Sequence, residues 1–190
     1  LYPYYTVREP SAGNAYNSLL SVVNSTASAK AVKVRFLEGK NSREVLDFNL
    51  YLSAKDVWTT AIIPTTDGAG IFTADKSCTT PTVSSSSTAP TAFVNFAYVG
   101  DTGGDTLDRT REGYVEIIEM GNVVGATAAA VTHSAGVPSC APLGNASADT
   151  VAGTGGLFGS MTLINVLRGE DFAIDATALD GFSSNAIWFA

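Results

Sequence analysis

The sequence predicts an all-β protein, an antiparallel β-sandwich of immunoglobulin-like or jelly-roll type, folded as one domain over residues 1–190. Three observations predict this class. Apolar and polar residues alternate with a period of two in many short segments, as in half-buried strands. Gly, Asn and Ser residues that favour turns separate these segments. No long stretch shows the 3.6-residue apolar period of an amphipathic helix. A chain of 190 residues is long enough to bury one such core.

The clearest strands lie in the first half of the chain. Residues 31–36 place Val32, Val34 and Phe36 on one face, with charged residues between them. Residues 44–52 repeat this alternation. Further strands are predicted at residues 4–7, 19–24, 57–63, 71–73, 93–99, 113–120, 161–167, 172–176 and 187–189. About ten short strands of this kind are typical of a two-sheet sandwich.

Two long segments rich in Ser, Thr, Gly and Ala are predicted to be loops, residues 65–90 and 121–156. We expect one short strand inside the first and a short helix inside the second. Loops of this length in a compact domain are usually functional or tied down. Cys78 lies in one and Cys140 in the other, so a disulfide between them would tie both, as in proteins of oxidising compartments. Two buried free thiols are the alternative.

The composition bears on partners and location. The chain carries 11 Lys and Arg against 18 Asp and Glu, a net charge of −7, and only 15% of its residues are charged. An acidic chain without a basic patch is a poor ligand for nucleic acid. Apolar runs are too short for a transmembrane segment. Leu1 opens an apolar and aromatic stretch, which predicts an extracellular or cell-surface protein after removal of a signal peptide; a fragment of a longer chain explains this start equally well.

Catalytic patterns are weak in this sequence, and we expect no enzyme. His133 is the one histidine, and it lies in a loop-like stretch far from any serine in a nucleophile motif. Glu116 and Glu119 lie three residues apart on one predicted strand, which directs them to opposite faces and makes them a poor acid/base pair. A hydrolase whose acid groups cannot be paired from the sequence is a lower-ranked alternative.

One acidic turn is a candidate calcium site. Asp101, Asp105 and Asp108 lie in a Gly-rich turn and offer the oxygen ligands that calcium prefers, without the full EF-hand pattern. Solvated turn carboxylates are the alternative, and no other cofactor is expected. The charged cluster at residues 109–112 is interpreted as a surface ion-pair site.

Apolar and aromatic residues cluster at both ends of the chain. They either pack the first and last strands into the core or contact neighbouring copies, because an edge strand can pair with another chain. The predicted subunit-contact residues are Leu1, Tyr2, Tyr4, Tyr5, Val7, Ile187, Trp188 and Phe189.

Separate blocks of the sequence carry a resemblance to known proteins. Residues 30–53, KAVKVRFLEGKNSREVLDFNLYLS, are the strongest block, and residues 56–58, 109–121 and 155–160 add to it. In these blocks the chain resembles a group of uncharacterised secreted proteobacterial surface proteins, which implies export to the cell surface or beyond. The first strands also resemble the generic bacterial immunoglobulin-like sandwich pattern. Neither resemblance implies catalytic residues, and a fold-level likeness does not specify function.

These observations favour a non-enzymatic extracellular structural protein. Its copies would assemble into a surface filament, tube or layer through strand and edge contacts that propagate head to tail. The alternative is a secreted adhesin or carbohydrate-binding β-sandwich module. Such a module would hold a glycan with exposed aromatic residues such as Tyr51 or Tyr98 and with loop carboxylates.

Overall fold

The structure is a computed structural model that describes residues 1–9, 11–141, 143 and 146–189. The described part is built from β-strands, one short α-helix and two 3₁₀ helices, Phe96–Tyr98 and Leu107–Arg111. Within these ranges, no helix combines the length and the apolar character needed to cross a bilayer. The elements are β1 (Tyr2–Thr6), β2 (Asn17–Asn24), β3 (Lys30–Glu38), β4 (Glu44–Leu52), β5 (Val57–Pro64), β6 (Ala69–Phe72), β7 (Cys78–Thr80), β8 (Thr91–Ala92), β9 (Glu112–Val123), α1 (Gly125–Val131), β10 (Thr150–Val151), β11 (Leu157–Asn165) and β12 (Glu170–Asp175).

The strands form two antiparallel sheets that pack face to face. Sheet 1 has the order β1-β9-β3-β4-β7, with β10 also beside β9, and sheet 2 has the order β12-β11-β2-β5-β6-β8. The pairs β3·β4, β2·β5 and β1·β9 are nested along the chain and alternate between the two sheets. This winding is typical of a jelly roll. The predicted all-β antiparallel sandwich is therefore confirmed.

Strand β3 shows how alternating apolar residues in the sequence form part of the core. Val32, Val34 and Phe36 are completely buried between the sheets. Arg35 points to the opposite face of sheet 1, where its guanidinium pairs with Glu116 at 3.0 Å. Side chains alternate across a strand, so three inward positions of one strand contribute three core residues.

Aromatic rings fill the centre of the main core. The ring of Phe36 lies 5.1 Å from that of Phe93 and 6.0 Å from that of Tyr5, measured between centroids. Phe48 contacts Trp58 in an edge-on arrangement with centroids 5.8 Å apart. Edge-on and tilted pairs are the favoured geometries of aromatic rings. Phe48 of β4 and Trp58 of β5 belong to different sheets, so their aromatic contact joins the two sheets.

A second, smaller core lies on the outer face of sheet 1. Ala31, Tyr51 and Met120 belong to it, together with Val131 at the end of α1 and the half-buried Trp188. Because Ala31 and Tyr51 alternate with inward-facing residues of β3 and β4, this side of the sheet would otherwise face water. The long segment after β9 covers it, and that segment holds the predicted short helix as α1.

The predicted disulfide is confirmed. Cys78 is bonded to Cys140, and their Cα atoms are 5.4 Å apart. The bond joins β7 to the segment after α1, where the Cys140 amide also donates to the carbonyl of Ala130. The segment 65–90 holds β6 and β7, one strand more than predicted.

The two sheets approach closely beside Tyr2. The Tyr2 hydroxyl of sheet 1 donates to the carbonyl of Ser21 in sheet 2, at 2.8 Å. Gly159 lies next to this bond, and a Cβ at that position would lie 2.1 Å from the same carbonyl oxygen and 2.3 Å from the tyrosine hydroxyl. A side chain at residue 159 is therefore excluded by the contact between the sheets.

Replacing both cysteines tests how much the disulfide stabilises the fold. The double variant Cys78→Ala/Cys140→Ala should lower the free energy of unfolding by about 2–4 kcal/mol, because the unfolded chain loses a constraint on a long loop. For a chain of this size the melting temperature should fall by about 10 °C. Calorimetry of wild type with and without reductant is the control. An unchanged melting temperature in the variant would contradict a stabilising role.

Candidate functional site

A cleft of about 810 Å³ opens at the side of the sandwich, between β9 and the segment of residues 176–185. Residues 153–158 form another part of its lining. Val22, Ile117 and Leu157 line it and also pack in the main core, so part of its surface is apolar. The cleft thus reaches from the solvent to the space between the two sheets.

The outer edge of β9 is paired at both ends but not in its middle. On this edge β1 pairs with β9 as far as Val115, and β10 pairs with it from Asn122 onward. The carbonyl of Met120 accepts from the Ile187 amide. Among the described strands, none pairs with this edge over residues 116–119. The gap is four residues long, about 13 Å of strand.

The direction of the backbone groups in this gap follows from the neighbouring bonds. The carbonyl of Glu112 accepts from the amide of Gly39, on the β3 side of the strand. Successive residues of an antiparallel strand direct their N–H and C=O groups to opposite sides. The register between β3 and β9 is regular up to Glu119, so Ile117 and Glu119 direct theirs toward the cleft. The cleft therefore offers main-chain donors and acceptors beside an apolar surface.

Exposed apolar side chains surround the cleft. Leu1, Phe158, Leu179 and Phe182 all line it and are 43%, 58%, 69% and 62% exposed. Scattered apolar residues on a surface need no explanation, but a group around one opening marks an interaction site. Only Leu1 of these four was predicted as a contact residue, because the others come together around one opening only in the folded chain.

Three carboxylates line the cleft, those of Glu116, Glu119 and Asp180, and the two glutamates are held in ion pairs. Glu119 pairs with the buried Lys30 at 2.5 Å and accepts the amide of Gly155 at 2.9 Å. Glu116 pairs with Arg35 on the outer face of the sheet. They lean to opposite sides of the strand, as expected, yet both contact the cleft because it runs along the strand edge. Each of the two glutamates is thus bound to a cation, on opposite faces of the strand.

Three of the predicted contact residues at the N-terminus pack in the main core. Tyr2, Tyr5 and Val7 are 2%, 0% and 0% exposed, so within one chain they pack in the core, the alternative that the sequence left open; a role in contacts between copies stays a prediction. They fill the space between the sheets, as the sequence allowed. Leu1 and Tyr4 remain partly exposed, at 43% and 39%, and their contact role stays a prediction.

The C-terminal residues lie along sheet 1. Trp188 packs into the second core, and the Phe189 carbonyl accepts from the side-chain amide of Asn49. Phe189 is 37% exposed, whereas Ile187 and Trp188 are half-buried. A contact role for these three residues stays a prediction.

The predicted calcium ligands do not converge. Asp101 is buried between two guanidinium groups, Arg43 and Arg109, at 3.0 Å from each. Asp108 pairs with different arginines, and the main-chain carbonyl of Asp105 accepts from a side-chain amide. Within the described ranges, no three His, Cys, Asp or Glu side chains come together as a metal site. Calcium binding stays an untested prediction, without a shared set of ligands.

The interpretation of residues 109–112 as a surface ion-pair site is wrong for Arg109. This guanidinium is buried, 2.8 Å from the buried carboxylate of Glu38 and 4.1 Å from the centre of the Tyr98 ring. Burial alone would raise the pKa of Glu38, but bonds from Arg109 and from three backbone amides outweigh it and lower that pKa. The Gly103 amide, then the neighbouring arginines, likewise lower the pKa of Asp101. The cluster holds the loop after residue 95 against the sandwich.

The aromatic residues proposed for glycan binding are buried. Tyr51 packs in the second core and Tyr98 lies beneath Arg109, each 2% exposed. Neither presents a ring face to a sugar, so the expectation that they are exposed is wrong.

His133 does not belong to a catalytic triad with its neighbours. Its Nδ1 lies 3.5 Å from a carboxylate oxygen of Asp56. The hydroxyl of Ser77 donates to the other oxygen of the same carboxylate, at 3.3 Å. In a triad the serine contacts the imidazole, whereas here both groups contact the aspartate.

The buried Glu38–Arg109 pair predicts a pH dependence of stability. Glu38 has a lowered pKa when folded, so its stabilising effect is present at neutral pH and lost as the pH falls below about 4. Glu38→Gln should lower the free energy of unfolding by about 3 kcal/mol at pH 7, because Arg109 stays buried without its carboxylate. Urea unfolding should show this difference shrinking toward pH 3. The exposed Glu9→Gln is the matched control, and a difference that persisted unchanged at pH 3 would contradict the assignment.

Comparisons of the chain with protein-family models, with curated proteins and with solved structures found no match. The resemblance to secreted proteobacterial surface proteins therefore stays a prediction.

Proposed function

We propose that this chain is a non-enzymatic extracellular structural protein whose copies assemble into a filament, tube or layer. The observation that carries the proposal is the edge of β9 at residues 116–119, with which none of the described strands pairs and which lies inside a cleft with an apolar rim. An open strand edge next to apolar surface is the usual acceptor for strand addition. A neighbouring copy would pair with the edge and cover the rim.

Hydrogen bonds and apolar burial would act together at this cleft. Ile117 and Glu119 supply main-chain groups that need a partner, and such groups are costly when they are buried without one. Phe158 and Phe182 supply apolar area that contact with a copy would remove from water. This combination favours a segment of polypeptide over a small polar ligand.

Two further features support an exported, self-associating chain. The Cys78–Cys140 disulfide is of the kind that persists outside the cytosol. Eight of the 11 Lys and Arg residues form ion pairs within the chain, so few cations remain for contacts between copies. Export after signal-peptide cleavage and a bacterial source are part of the same proposal.

The glycan-binding alternative was based on exposed rings such as those of Tyr51 and Tyr98, and both residues are buried.

A proline in the gap tests the proposal. Ile117→Pro removes an N–H that faces the cleft and leaves the bonds between β9 and β3 in place. Wild type should form regular polymers with increasing concentration, and Ile117→Pro should not. Electron microscopy and sedimentation velocity measure the assembly of wild type and of the variant.

Ile117→Ala is the matched control, because it removes more of the side chain than the proline substitution does but keeps the backbone N–H. It should assemble nearly as wild type does. Dispersed wild-type particles at every concentration, or polymers of Ile117→Pro equal to those of wild type, would overturn the proposal.

A further inference from the structure

A buried lysine contacts both a side-chain amide and a carboxylate where β3 and β9 pair. Lys30 of β3 is completely buried, and its register partner Asn122 of β9 is 8% exposed. Nζ of Lys30 lies 2.9 Å from Oδ1 of Asn122 and 2.5 Å from a carboxylate oxygen of Glu119. Its third contact is the Thr154 hydroxyl, at 3.2 Å. These contacts fix the amine beside the carboxamide of Asn122.

A β-bulge in β9 brings the carboxylate and the amide to the same amine. Glu119 and Asn122 are three residues apart, and on a regular strand such residues point to opposite faces. The register of β9 against β3 shifts between Ala31 and Val32, so β9 has an extra residue at this point. A bulge of this kind redirects a side chain, and both groups therefore reach Lys30.

The arrangement contains more than an ion pair requires. A lysine and a carboxylate suffice for an ion pair, whereas here the amine also contacts a carboxamide, whose carbon is bonded directly to Oδ1 of Asn122. A neutral amine is a nucleophile toward such a carbon. Holding the two groups together removes most of the entropic cost of their reaction, and burial keeps water away from it.

A second lysine opposite an asparagine lacks this contact. Lys33 of β3 is the register partner of Asn49 of β4, and its ammonium pairs with Asp47. Oδ1 of Asn49 is buried and accepts a hydrogen bond from none of the described residues. Register alone therefore does not bring an amine to an amide, and the Lys33–Asn49 pair is an internal control.

We propose that Lys30 and Asn122 react with each other to form an amide cross-link between β3 and β9, with Glu119 as the catalytic residue. The cross-link is a self-modification of the folded chain. It runs once in each chain and takes no external substrate, so it does not make the chain an enzyme. It goes beyond the proposed function, because neither the reaction nor its test needs a second copy.

The reaction balances within the three side chains. Glu119 takes a proton from the Lys30 ammonium, and the neutral amine attacks Cγ of Asn122. The Nζ–Cγ bond forms and the Cγ–Nδ2 bond breaks. Nδ2 takes a proton from Nζ and leaves as ammonia, which then takes the proton held by Glu119 and departs as ammonium. No group is oxidised or reduced, and Glu119 ends as a carboxylate.

Intact-mass spectrometry of the wild-type protein, with its disulfide reduced, tests the cross-link. The measured mass should be lower than the sequence mass by one ammonia. After proteolysis, tandem spectra should show one branched peptide that joins residues 30 and 122. A mass equal to that of the sequence, or a deficit without this branched peptide, would overturn the inference and leave the proposed function standing.

Variants assign the roles of the side chains. Lys30→Arg keeps the positive charge but has no amine, and Glu119→Gln cannot take the proton, so both should show their full sequence mass. Lys33→Arg is the matched control and should keep the deficit of one ammonia. Circular dichroism checks that each variant is folded, and the wild-type mass does not depend on them. A deficit that persisted in folded Lys30→Arg or Glu119→Gln, or that disappeared in Lys33→Arg, would contradict the assignment.

Discussion

The antiparallel pairing of β3 with β9 is the interaction on which the rest of the structure depends. It aligns nine residue pairs between segments about eighty positions apart in the chain. The inner face of β3 then supplies Val32, Val34 and Phe36 to the core. On its other side, β9 receives β1 at one end and β10 at the other, and these two partners do not meet. The core and the cleft are thus consequences of one pairing: β3 occupies one edge of β9 completely, and short strands occupy the other only in part.

Local patterns predicted the long strands, but the strands predicted at residues 93–99 and 187–189 are wrong: the first segment holds a 3₁₀ helix and the second holds no strand. Long-range contacts decided what each side chain does. Alternation identified β3 and β4 because the two-residue period is a property of neighbouring residues. Tyr5 fits a contact strand and a core strand equally well in sequence, and in the structure the rings of Phe36 and Phe93 enclose it in the core. The burial of Arg109 depends on Glu38, seventy-one residues away. The gap in the edge of β9 depends on where β1 ends and β10 begins, and no local pattern encodes that.

Buried ion pairs position the irregular parts of the molecule. Arg109 joins Glu38 to Asp101 and so fixes the long loop before β9. Lys30 pairs with Glu119, whose carboxylate also accepts two backbone amides from residues 154 and 155 in the wall of the cleft. Such pairs contribute little net stability compared with apolar packing, but breaking one is costly. Their role here is to hold loops in one arrangement, which a binding surface made of loops requires.

Strand β11 gives the wall of the cleft a mechanical property. Phe158 lies in this wall, near the start of the strand. The strand is paired with β2 over eight residues and with β12 over six. A load along its axis would shear many hydrogen bonds at once, whereas a load across the strands would break them one at a time. Neither Cys78 nor Cys140 lies in this strand, so the resistance of the cleft wall to a pull along β11 comes from the strand ladder and not from the covalent bond.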